Sequence, residues 1–94
     1  MGMSLGQVVY SKAGRDAGKR FVVMAVIDQS YVLVCDGDLR RIEKPKKKKI
    51  KHLEHTGQII EALSSKLESR LKVTNAEIRK ALSALQDKDK DNDG

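Results

Sequence analysis

Gly14, Arg15, Asp16, Ala17, Gly18 and Lys19 form the stretch of this sequence with the densest chemistry. Two glycines bracket an arginine and an aspartate, and a lysine follows. A loop that cradles nucleotide phosphates needs four residues between its glycines, then lysine followed by serine or threonine, then a helix. Here three residues intervene, Arg20 follows Lys19, and an apolar run of strand character comes next. Nucleotide hydrolysis is therefore not supported. Gly14 and Gly18 can instead adopt positive φ and turn the chain tightly. Lys12, Arg15, Lys19 and Arg20 then project from a compact loop. Arginine can meet a phosphate with two donors, and lysine meets it as a point charge. On local grounds a charged hairpin tip without a ligand fits equally well.

A second basic segment spans residues 40–52 and carries Arg40, Arg41, Lys44, Lys46, Lys47, Lys48, Lys49, Lys51 and His52. Like charges in a row repel and extend the chain. Pro45, the only proline, lacks a backbone donor and argues against a central strand. The segment is expected to be an exposed loop. Its resemblance to a nuclear import signal is weak evidence for import. Lysine and arginine number 19 against 13 acidic residues, a formal charge of +6. That balance favours an anionic partner. Tyr10, Phe21 and Tyr31 are the only aromatic residues. Readers of single-stranded RNA stack bases on exposed aromatics. The shortage points to structured RNA, contacted through phosphates and sugars.

The remaining reactive residues give no catalytic constellation, so no enzyme and no cofactor are expected. Cys35 lies in an apolar run and reads as a small core residue. A single cysteine cannot form a disulfide within the chain. His52 and His55 fall short of the four ligands of a structural zinc site, and no metal is expected. Residues 89–94 match the opening of a calcium loop but not its later ligands. No apolar signal region stands at the N-terminus, and Gly6 occupies the position where a myristoylation pattern needs serine or threonine. No run is long enough for a membrane span. A cytoplasmic protein without membrane contact is expected.

The elements that must position these residues fall into two regions of a single 94-residue domain. Residues 1–56 have strand chemistry, with strands expected at 6–12, 20–28, 31–35, 38–42 and 50–53. Asp36-Gly37 reads as a hairpin turn with positive φ at both residues. Several short strands at this spacing suggest a small barrel. Residues 57–86 have helical periodicity. Ile59, Ile60, Leu63, Leu67 and Leu71 recur at spacings of three or four. Thr74 and Glu77 fit a capping box, with Val73 and Ile78 at the staple positions. Ile78, Ala81, Leu82 and Leu85 then form a second apolar face. A helical hairpin with its turn at 72–74 should pack on or beside the barrel. Residues 87–94, charged and without apolar side chains, are expected to form a disordered tail.

The strand–glycine loop–strand unit from Gly6 to Val23 resembles a KOW motif. The Val32-Leu33-Val34-Cys35-Asp36-Gly37 segment, Arg40-Arg41, and residues 51–56 extend the match. Together they resemble the single-KOW proteins of the eukaryotic- and archaeal-type large ribosomal subunit, over residues 5–56. The helical pair lies outside the resemblance. The resemblance implies a small Src-homology-3-type β-barrel; with the C-terminal helical hairpin read from the periodicity, an α+β fold is expected. The resemblance also implies a non-catalytic protein that binds ribosomal RNA and takes part in translation. Lys12, Arg15, Lys19 and Arg20 would form one contact set, and the basic residues of 40–52 the other. The alternative is a protein–protein adaptor or accessory factor of transcription or translation. Its partner or dimer surface would be the stripe Ile60, Leu63, Leu67 and Leu71.

Overall fold

The computed structural model describes residues 3–12 and 14–93, with side chains as far as Leu85. Five strands form one antiparallel sheet: β1 (Gln7–Ser11), β2 (Arg20–Val26), β3 (Tyr31–Cys35), β4 (Lys46–Lys49) and β5 (Leu53–Ile59). Their order is β4-β3-β2-β1-β5. Two helices follow, α1 (Glu61–Glu68) and α2 (Asn75–Asp93). β4 and β5 occupy opposite edges, yet only the 3₁₀ turn Ile50–His52 separates them in sequence. A flat five-stranded sheet would hold its edges about 19 Å apart. A three-residue 3₁₀ turn advances only about 6 Å. The sheet must therefore curl until its edges converge at this corner. Two backbone bonds tie the corner down: Lys12 N–H to His52 O at 2.8 Å and Ile50 N–H to Ser30 O at 2.8 Å. No ladder joins β4 to β5 among the described residues. A curled α+β sheet with two C-terminal helices is what the expected barrel amounts to.

The lysine run departs most from expectation. Residues 38–42 do not form a strand, and Lys46–Lys49 do, pairing Val34 with Lys46 and Val32 with Lys48. Only Gly37 of the Asp36-Gly37 pair has positive φ, at 79°. Asp36 Oδ1 accepts from Asp38 N–H at 2.9 Å and Arg40 N–H at 2.8 Å. The chain so closes a local loop at Arg40 and reaches the sheet only after Pro45. That proline just precedes an edge strand, where its missing donor breaks no ladder. Lysines suit such an edge because their charges deter pairing with another chain. The closing strand also differs. Residues 50–52 form the 3₁₀ turn, and β5 runs from Leu53 past the expected boundary at 56. Gly57, with φ of 77°, sits in a bulge opposite Val8, where Thr56 Oγ1 donates to Val8 O at 2.8 Å.

Alternation along the strands sends side chains to two cores. Met3, Val9, Phe21, Val23, Val32, Val34 and Leu53 form one cluster. Val22 and Cys35 join Leu63, Val73 and Ile78 in the other, beneath the helices. Burial pushes the Cys35 thiol up to about 11, with Asp36 and Glu43 adding to it. Ile59 belongs to β5 and is exposed, so the helical stripe is shorter than expected. Ile60 and Leu67 are half-buried against this cluster, whereas Leu71 lies beyond α1 and is 60% exposed. The inter-helix turn is longer than 72–74, because α1 ends at Glu68 and Arg70 takes φ of 59°.

The capping box forms: Thr74 Oγ1 accepts from Glu77 N–H, and Glu77 Oε1 accepts from Thr74 N–H, both at 3.2 Å. Val73 and Ile78 meet in the core beside it. The backbone of α2 continues to Asp93, through most of the segment expected as a disordered tail. Side chains past Leu85, and Gly94 entirely, lie outside the described residues. No helix among the described residues is long and apolar enough to cross a membrane.

Candidate nucleic-acid interface

The first basic loop is a tight hairpin tip between β1 and β2. Gly14 and Gly18 adopt φ of 76° and 85°, with open space where a Cβ would stand. Backbone geometry alone therefore demands glycine there. Between them Gly14–Asp16 makes a 3₁₀ turn. Gly18 N–H donates to Ser11 O at 2.8 Å and Lys19 N–H to Asp16 O at 2.9 Å. This winding turns Asp16 inward, leaving the residue 8% exposed. Its carboxylate lies 3.2 Å from Lys48 Nζ, 3.8 Å from Arg40 Nη2 and 4.0 Å from Lys19 Nζ. Lys48 Nζ also donates to Ser11 Oγ at 3.2 Å. Burial pushes the Asp16 carboxyl up, but the Lys48 hydrogen bond and charge, with Arg40 and Lys19, hold it below its ordinary value.

The two basic segments, far apart in sequence, thus meet in space. Asp16 joins Arg40 and Lys48 to the glycine loop, and Lys12 bonds to the backbone of His52. Lys12, Arg15 and Lys19 are exposed around the tip. Arg20 is directed elsewhere, with Nη2 donating to Leu82 O of α2 at 3.5 Å. In the second segment Arg41, Lys44, Lys47, Lys49, Lys51 and His52 are exposed. Lys47 sits 4.5 Å from the Tyr31 ring centroid, within cation–π range. Lys46 and Lys48 point to the other side of β4 and are half-buried. Lys48, with a side chain 12% exposed, serves the fold more than the surface.

Sequence reasoning assigned Asp16 no role. Its one visible signal was an acidic residue in an otherwise basic loop. Leu39, 70% exposed and lining the cleft with Arg15, Lys19 and Arg40, was also unforeseen. His55 is engaged on β5, where Gln7 Nε2 donates to its Nδ1 at 2.8 Å. It does not stand a helical turn from His52. Among the described residues, no group of histidine, cysteine, aspartate or glutamate could hold a metal ion.

No protein-family model matches the chain. Individual proteins do. The chain is 34% identical over 58 residues to the large ribosomal subunit protein eL14 of Desulfurococcus amylolyticus, covering 62% of this chain and 60% of that one. It is 34% identical over 59 residues to the eL14 of Pyrobaculum arsenaticum, covering 63% and 57%. With the eL14 of Pyrobaculum calidifontis it shares 28% identity over 82 residues, covering 87% and 73%. The chain spans about 60% of the length of the first of these. The match over 82 residues cannot fit within the strand region, which ends at Ile59, so it extends into the helical pair. The expected resemblance to large-subunit ribosomal proteins is present: over most of its length the chain is similar to archaeal eL14 proteins.

Proposed function

We propose that this chain is a non-catalytic RNA-binding protein that contacts structured ribosomal RNA through phosphates, as a ribosomal or ribosome-associated factor in the cytoplasm. The meeting of the two basic segments in the fold carries this reading. Neither segment alone distinguishes a ligand site from a solvated loop. Their junction around Asp16 and the Lys12–His52 backbone bond supports a shared cationic site. The eL14 relatives support an RNA of the large subunit and neighbouring ribosomal proteins as partners. The converging sheet edges support closure of the sheet in the manner of a KOW barrel. The adaptor alternative needs a free helical stripe, and the burial of Leu63 with half-burial of Ile60 and Leu67 weakens it.

The contact set is best drawn from the solvent-facing cations: Lys12, Arg15, Lys19, Arg40, Arg41, Lys44, Lys47, Lys49 and Lys51. Filter binding with a structured large-subunit ribosomal RNA fragment tests the mechanism. If about five phosphates are neutralised, log K falls with log salt at a slope of roughly −4 to −5. Replacing Lys47 and Lys49 together with glutamine should flatten that slope by roughly 1.5 to 2. Affinity indifferent to both salt and this double replacement would overturn the proposal.

A further inference from the structure

A carboxylate at the centre of a basic surface is electrostatically out of place. Asp16 is the only acidic residue of the loop 12–19, and it repels any phosphate drawn there. Its side chain is nevertheless 11% exposed and touches three cations, one from its own loop and two from the second basic segment. Lys48, buried to a similar degree, neutralises it from below. Arg40 and Lys19 keep 38% and 46% of their side-chain surface in solvent. Arg15 stands exposed beside them, and these three cations line one cleft with Phe21, Leu39 and Asp36. The Asp36 carboxylate is engaged by the amides of its own loop.

Resting on the RNA reading above, we infer that Asp16 is a positioning residue: it fixes Arg40 and Lys19 about a cleft that, with Arg15, takes one phosphodiester of the RNA. Long cationic side chains lose rotamer freedom on binding, and holding them beforehand raises affinity. The buried Lys48 offsets the charge of the device, so the outward cations keep most of their field. This inference predicts a sign opposite to charge counting. Removing the negative charge should weaken binding.

Fluorescence anisotropy with a labelled RNA duplex, at a temperature where each variant is folded, tests it. D16N should weaken binding by about tenfold, the scale of one charge-assisted hydrogen bond. Its salt slope should fall by roughly 0.7 to 0.9, one phosphate fewer. D16E should recover most of the affinity. A role in stability alone would leave the affinity and slope of folded D16N unchanged. Binding by D16N as tight as, or tighter than, the unaltered chain would overturn the inference. If D16N does not fold, Arg40→Lys decides, because charge is retained while the guanidinium whose Nη2 lies beside Asp16 is lost. It should bind several-fold more weakly, and equal affinity would overturn the inference. Failure of the unaltered chain to bind the duplex would instead sink the RNA reading, and this inference with it.

Discussion

The glycine loop and the helical pair are fastened to the same sheet by opposite means. The loop is held by charge: one carboxylate shared among Lys19, Arg40 and Lys48. The helices are held by an apolar contact, with Leu63, Val73 and Ile78 on Val22 and Cys35. The Lys19 and Arg40 pairs, partly in solvent, contribute about 0–1 kcal/mol each, and the buried Lys48 pair returns little net of its desolvation cost, while each fully buried aliphatic side chain contributes about 1.5–3 kcal/mol. Stability should therefore reside on the helical side and binding on the loop side. Ile78→Ala breaks the comparison most severely. Ile78 has no exposed surface, and truncating a buried isoleucine costs about 2–5 kcal/mol. Urea unfolding should show that loss, and RNA affinity per folded molecule should stay unchanged. A loss below about 1 kcal/mol would mean that the helices are not integral to the core.

Gly6→Ala probes how closely α1 sits on the sheet. Gly6 has φ of 82°, and a Cβ there would lie 2.7 Å from Ser64 N and 2.8 Å from Ser64 Cα. Both contacts are with backbone, so no rotamer change relieves them. The strained φ alone costs about 1–3 kcal/mol. Gly18→Ala carries a similar φ penalty but meets nothing. The difference in urea midpoint between the two variants should isolate the helix contact. Equal losses would show that α1 yields freely.

What the sequence made legible was local. β1, β2 and β3 announce themselves by valine-rich runs bounded by turns, and Thr74 and Glu77 mark a helix start within four residues. What it hid depends on partners distant in the chain. Four consecutive lysines have no strand pattern of their own. They become β4 because β3 offers an edge and Pro45 ends the preceding loop. Alternation then gives the lysines unlike roles, with Lys47 over Tyr31 and Lys48 against Asp16. Asp16 was opaque for the same reason, since its partners lie 3, 24 and 32 positions away. β5 captured Ile59 from an apparently helical stripe because β1 was there to pair with it.

A smaller effect is expected where the signal was local. Thr74→Ala removes the acceptor for Glu77 N–H and should cost about 1 kcal/mol of unfolding free energy. Thr74→Ser retains the hydroxyl and should cost far less. Equal losses from the two would point to the methyl group and away from the cap.

A last effect lies in the acid limb of stability, and it separates the two fastenings by pH. The folded-state pKa of Asp16 lies below its ordinary value of 3.8. Its stabilisation is therefore fully present above about 3.8 and is lost as pH falls through the lower folded value. The apolar fastening under the helices has no such dependence. Glu43, bonded by Asn75, and Glu77, bonded by Lys66 and Thr74, are lowered in the same direction, so some acid sensitivity survives without Asp16. Urea unfolding of D16N and the unaltered chain should differ at neutral pH and converge as pH drops below 3.8. Ile78→Ala should instead stay a constant interval below the unaltered chain across that range. A D16N interval equally constant would mean that Asp16 stabilises through shape and not through its charge.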